Sequence, residues 1–153
     1  MKKRIVLVAL CVGIAFAIML KVGNDNRQRN LAELIPFNKE DLLILGITVE
    51  RDNVDEENGY EWYTTEPALV EEVVSFLGEY QVKRVNTDVY HQQLVEEEPL
   101  ELYISHQKGK PSIVFLNETG VMIIGTSGYE LLNGPLEVEW FQEFIEENEG
   151  VEM

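Results

Sequence analysis

Acid–base chemistry near neutral pH starts with histidine, and this chain has two, His91 and His106. Imidazole is the side chain whose ordinary titration falls between pH 5 and 8, so a general base here is one of these two or a perturbed acid. A Ser-His-Asp set can be drawn with Ser105, Ser112 or Ser127, but nothing in the spacing fixes the geometry such a set requires. Gly125-Thr126-Ser127-Gly128 resembles a nucleophile elbow superficially. Tyr129 stands where G-x-S-x-G needs its second glycine, and no strand-to-helix elbow follows. His106 keeps the parity of Leu100, Leu102 and Ile104, which places it at the inward edge of a strand end, while His91 lies in the irregular stretch 86–98 beside Tyr90. Both read first as satisfied or exposed histidines, and a small hydrolase using His91 or His106 is an alternative function.

Asp52, Asp55, Glu56 and Glu57 share one loop, and hard cations want several oxygens from such a loop. The EF-hand pattern fails, because counting back from Gly59 puts Val54 at the first ligand position and no bidentate acid follows at the required spacing. Glu96-Glu97-Glu98 before Pro99 is a second acidic run. Exposed pairings are worth about 1 kcal/mol or less, so these runs read mainly as solubilising loops. An acidic cation-responsive sensor is the remaining alternative. No P-loop, dinucleotide fingerprint or HExxH is present. One Cys excludes an intramolecular disulfide and, with two His, a zinc framework. No catalytic, cofactor-binding or metal-ligating residue is therefore assigned. Twelve Lys and Arg against 28 Asp and Glu leave a net charge of −16, which argues against nucleic acid as a partner.

Among the non-titrating groups, Tyr60, Trp62 and Tyr63 are the most suggestive, since Tyr and Trp are favoured where one side of a strand is buried and the other meets a partner. Alternation sends Trp62 and Tyr63 to opposite faces, so core packing accounts for at least one. Asn117-Glu118-Thr119 matches a glycosylation sequon and equally makes an ordinary turn.

The elements that must position these groups are legible from periodicity. Residues 42–51 are rich in β-formers and 60–65 alternate aromatic and polar positions, with an Asn58-Gly59 step between them, which predicts a hairpin with a long acidic loop. Thr65-Glu66-Pro67 is a helix start, and Leu69, Val73, Phe76 and Leu77 recur at helical spacing up to Gly78. Residues 80–85 follow as a strand. Leu100, Leu102 and Ile104 alternate with Glu101, Tyr103 and Ser105, and turns at 108–111 and 117–120 lead into strands at 113–116 and 121–124. Residues 129–132 read as a short edge strand. After Asn133-Gly134-Pro135, Leu136, Trp140, Phe141, Phe144 and Ile145 share one face of a closing helix. The fold class is α+β, an antiparallel sheet of about five or six strands packed by two helices.

Ahead of that domain, Lys2, Lys3 and Arg4 precede an uncharged apolar run over 5–20 whose only polar side chain is Cys11. Cys11 reads as a small hydrophobe. This arrangement predicts an N-terminal transmembrane helix, a retained signal-anchor reaching a lipid bilayer through 5–20, with the N-terminus cytoplasmic. Cleavage after Ala17, within Ala15-Phe16-Ala17, is the alternative and would release a secreted domain. The expected organisation is a basic tail 1–4, an anchor 5–20, a polar stalk 21–38, an extracytoplasmic domain 39–148 and a frayed tail 149–153. Every acid follows the apolar run, so the part beyond it carries nine cations against 28 acids, or −19.

The stretch GKPSIVFLNETGVMIIGTSGYELLNGPLEVEWFQEFIE, with its Tyr, Asn-Gly-Pro turn and Trp-containing helix, resembles the end of small anchored or secreted proteins of unknown function from Bacillus-type Gram-positive bacteria. The resemblance covers about the last third of the chain. It implies a cell-envelope location and no activity. The leading expectation is a membrane-tethered, non-catalytic binding or interaction module with a protein or cell-envelope partner.

Overall fold

The structure is a computed structural model and describes residues 2–25, 27–54, 59–85, 99–125 and 127–150. Among these residues three helices, α1 (Lys2–Asp25), α2 (Pro67–Leu77) and α3 (Val138–Glu147), accompany eight strands. The strands are β1 (Arg29–Asn30), β2 (Leu42–Thr48), β3 (Trp62–Thr64), β4 (Gln81–Val85), β5 (Leu100–His106), β6 (Ser112–Asn117), β7 (Gly120–Ile123) and β8 (Ser127–Leu131). They form one antiparallel sheet in the order β1-β4-β8-β7-β6-β5-β2-β3.

The α+β class stands, the two helices expected to pack on the sheet are α2 and α3, and the strand count is corrected from five or six to eight among the described residues. The chain pairs β5 through β8 in order because each connection is a short turn. Gly109 and Gly125 hold positive φ in two of these turns, the region that favours a residue without Cβ. Asn117 closes the β6–β7 turn by accepting at Oδ1 from the backbone amides of Thr119 (3.1 Å) and Gly120 (2.8 Å). The sequon asparagine is thus a buried turn residue. The strand predicted at an edge over 129–132 is interior, because β4 pairs with its far side, Val82 opposite Leu131 and Arg84 opposite Tyr129. The actual edges are the short β1 and β3.

Period-two alternation sorts the strands into two faces. Leu45, Ile47, Leu100, Leu102, Ile104, Val114, Leu116, Val121 and Tyr129 point inward and are buried against α2 and α3. The helices meet through aromatic rings: Phe76 of α2 stacks on Trp140 of α3 at 4.0 Å between centroids and meets Phe141 edge-on at 5.4 Å. Trp62 of β3 joins this cluster edge-on to Phe144 at 5.5 Å and donates its indole N–H to the Asn148 carbonyl (2.9 Å). Burying so many large apolar side chains on one face is the main driving force of the fold, each fully buried side chain contributing about 1.5–3 kcal/mol.

Two local predictions are revised. Thr65 does not cap α2: Glu66 occupies the N-cap position without a side-chain bond, and Thr64 Oγ1 accepts from the Glu66 amide instead. Gly78 ends the helix in a right-handed conformation, with its amide donating to the Val74 carbonyl. In the stretch read as a stalk, Arg29–Asn30 pair with β4, and Leu31 and Ile35 are buried in the core. Asn30 ties this segment down by accepting from the Ala32 amide and donating to the Gly78 carbonyl.

Among the described residues, no helix is long and apolar enough to cross a membrane. The transmembrane helix predicted over 5–20 is therefore corrected, and with it the membrane and signal-anchor reading. The segment is an α-helix over Lys2–Asp25 on which Leu10, Val12, Ile14, Phe16, Ile18, Met19, Leu20 and Val22 are all exposed. Cys11 is exposed on the same helix.

Candidate functional site

Opposite the helices, the second sheet face is lined by Ile44, Gly46 and Thr48 of β2, Glu101, Tyr103 and Ser105 of β5, and Ile113 and Phe115 of β6. This follows from their register against the inward residues. Its hydrophobic cluster is separate from the main core, with Met122 packed by Val85 and Phe115. Gly46 is where this face is shaped. A Cβ there would lie 2.6 Å from the Tyr60 ring, so the absence of a side chain lets Tyr60 fold down over β2. Tyr60 then stacks on Tyr103, 5.3 Å between centroids and 29° between planes. Burial pushes the Tyr60 hydroxyl above the ordinary phenol range, with smaller contributions from neighbouring Tyr103 and Glu101.

Beside the tyrosine pair, Val49, Arg51, Pro99, Glu101 and Phe115 line a cleft of about 330 Å³. Arg51 forms an ion pair with Glu101 at 2.9 Å; the arginine is 68% exposed and the carboxylate 18%. Such a pair adds little stability, because the exposed partner keeps most of its hydration. A carboxylate nevertheless ties down the segment that follows β2: Glu61 accepts from the amides of Val49 (2.8 Å) and Glu50 (2.9 Å) and from the Asn53 side chain (3.0 Å). Two buried hydroxyls on this face, Thr48 Oγ1 and Tyr63 OH, have no hydrogen-bond partner among the described residues. A second cleft of about 410 Å³ opens at the same sheet end on the helix side, where Leu100, Leu116 and Val138 form the apolar wall and Glu118, Glu139 and Gln142 the polar one.

The residues singled out from the sequence are dispersed. His106 is half-buried at the end of β5, and its Nε2 accepts from the Asn38 amide at 3.1 Å, so the ring's acceptor is engaged with backbone and not with a serine. Ser105 follows the parity of the outer face, Ser112 is buried opposite Ile104 on the inner one, and Ser127 is buried at the start of β8. Thr126, in the superficial elbow, is outside the described residues, as are His91, Asp55, Glu56, Glu57 and Glu96 to Glu98. Asp52 is exposed in a single 3-10 turn. Among the described residues no group of three or more His, Cys, Asp or Glu side chains is placed to hold a metal ion.

Of the aromatic trio, Trp62 belongs to the core, Tyr63 is buried on the outer parity, and Tyr60 alone is half-buried on the outer face. Sequence reasoning missed its companions Tyr103, Phe115 and Arg51. The signal for two of them was present, since the alternation that sends Leu102 and Val114 inward sends Tyr103 and Phe115 outward. The chain matches no protein-family model, no curated protein and no solved structure.

Proposed function

We propose that this domain is a non-catalytic binding module that receives a protein partner on its outer sheet face, around Tyr60, Tyr103, Phe115 and Arg51. The observation that carries the reading is the half-buried Tyr60–Tyr103 stack beside a cleft rimmed by an exposed arginine, on the face that α2 and α3 leave to other contacts. Aromatic rings and arginine are the side chains that contribute most when a protein surface is desolvated by a partner. The hydrolase alternative draws no support from His106, whose ring nitrogen is occupied by Asn38.

A photo-crosslinking residue in place of Phe115, compared in intact cells with one at exposed Glu143 on α3, tests this function. The expected result is a defined adduct from position 115 that Tyr103→Ala abolishes in a protein of unchanged fold. Identical adducts from both positions would overturn it.

Export accompanies this reading, supported by the Lys2-Lys3-Arg4 cluster ahead of the apolar run and by Ala15-Phe16-Ala17. A mature chain beginning at Ile18 in the extracellular fraction is the expected outcome, and an unprocessed chain confined to the cytosol is the contrary one.

A further inference from the structure

Residues 31–41 form a strap that leaves β1, crosses the core edge and enters β2. Its first half is fixed by burial: Leu31 and Ile35 are in the core and Leu34 and Phe37 pack against it. In its second half Asn38, Lys39 and Glu40 are exposed and Asp41 is half-buried. The Asn38 amide donates to His106 Nε2 (3.1 Å), Asn38 Oδ1 accepts from the Glu40 amide (3.1 Å), and the Gln107 amide donates to the Asp41 carbonyl (2.7 Å). Lys39 reaches Glu71 of α2 at 3.0 Å, both side chains at least half exposed.

The direction of the Asn38–His106 bond requires an acceptor at Nε2. An amide N–H can donate only to a nitrogen that carries a lone pair, which at Nε2 is the neutral ring with its proton on Nδ1. A second proton converts Nε2 into a donor, and two donors then face each other. We propose that His106 is an acid-sensitive latch: the neutral ring holds the strap to the end of β5, and protonation of Nε2 releases the 38–41 turn.

The charged groups on the surrounding elements are Glu33, Lys39, Glu40 and Asp41 on the strap, Glu66, Glu71 and Glu72 ahead of and on α2, and Lys108 and Lys110 on the β5–β6 turn. They are of mixed sign, and Asp41 has a buried carboxylate oxygen, Oδ1, without a partner among the described residues. The consequence is local. Release frees the exposed half of the strap while the buried Leu31 and Ile35 keep the rest in place, the pattern of a low-energy opening and not of global unfolding.

Amide exchange and imidazole nitrogen shifts of the full chain, read by NMR between pH 7.5 and 5, test the latch. At pH 7.5 the nitrogen shifts should identify the Nδ1–H tautomer. On acidification the protection factor of the Asn38 amide, corrected for intrinsic exchange, should fall about fivefold, the scale of one exposed hydrogen bond. His106→Gln supplies an oxygen at the position of Nε2 that does not titrate, so its Asn38 protection should stay constant over the same range. An Nε2–H tautomer at pH 7.5 overturns the proposal. So does a pH-dependent loss of protection that persists in His106→Gln, because the titrating group would then be one of the neighbouring acids.

Discussion

The two faces of the sheet come from the same alternating strands and are closed in different ways. On the inner face, leucine, isoleucine and valine from β2, β5, β6 and β7 meet two helices whose contact is a lattice of rings, with Phe76, Trp140, Phe141 and Phe144 within 4.0 to 5.4 Å of a neighbour. On the outer face, tyrosine, phenylalanine, glutamate and serine alternate with those same residues, and among the described residues the Tyr60 ring is laid over Gly46. The inner face is saturated with apolar contacts and has little left to offer a partner. The outer face keeps half-buried rings, two hydroxyls without a partner among the described residues and an exposed guanidinium. The proposed function thus places recognition on the side opposite the main core.

Substitutions that strike the two faces separately give the strongest way to break that contrast. Phe141→Ala removes a ring with no solvent exposure and should cost about 3–5 kcal/mol, whereas Phe115→Ala, half-buried outside, should cost about 1 kcal/mol. Urea unfolding monitored by tryptophan fluorescence measures both. Equal losses would mean that the outer face is a second core.

A smaller effect is expected at the hinge of the outer face. Gly46→Ala places a methyl 2.6 Å from the Tyr60 ring, which must lift off β2, at a cost of about 1–3 kcal/mol. The ring contact with Tyr103 should be lost with it, observable as the disappearance of their mutual nuclear Overhauser effects. Retention of the stack with wild-type stability would show that Tyr60 is not held by that glycine.

The Tyr60 hydroxyl offers a pH test of the same cover. Its titration is raised in the folded chain, so the folded state holds the proton more tightly than the unfolded state. The associated stabilisation is complete below the ordinary phenol value near pH 10 and is lost as pH rises from there through the higher folded value. Tyr60→Phe should flatten the thermal midpoint over that window, and an unchanged slope would place the alkaline sensitivity elsewhere. The least effect belongs to Arg51 and Glu101, whose double-mutant cycle should give about 0–1 kcal/mol of coupling even where Arg51→Ala abolishes partner capture. A larger coupling would make the pair a structural strut.

Much of the inner face was readable before the structure. The spacing of Val73, Phe76 and Leu77, the run Trp140, Phe141 and Phe144, and the alternation from Leu100 to Ile104 all report burial directly, because a residue's periodicity records which side of its own element meets the core. The candidate site was legible only in fragments. Tyr60 drew notice with Trp62 and Tyr63, but its partner Tyr103 lies 43 positions further on, and nothing local links them. His106 was read as a strand-end residue of inward parity; that its ring meets the Asn38 amide depends on the β2–β5 pairing that brings Leu42 opposite it. The apolar run at 5–20 was read as a membrane span from hydrophobicity and a basic flank, and the described helix does not support that assignment.

By itself, then, the chain determined its α+β class, the period of its main elements and the residues that must avoid water, since these depend on backbone geometry and hydrophobicity within a dozen residues. Tertiary structure decided the order of the strands, with β8 inside the sheet and the two-residue β1 at its edge, and it decided which outward residues meet. Those outcomes rest on pairings between distant segments. An outward tyrosine looks the same in sequence whether it faces solvent, a second ring or a glycine that makes room for it.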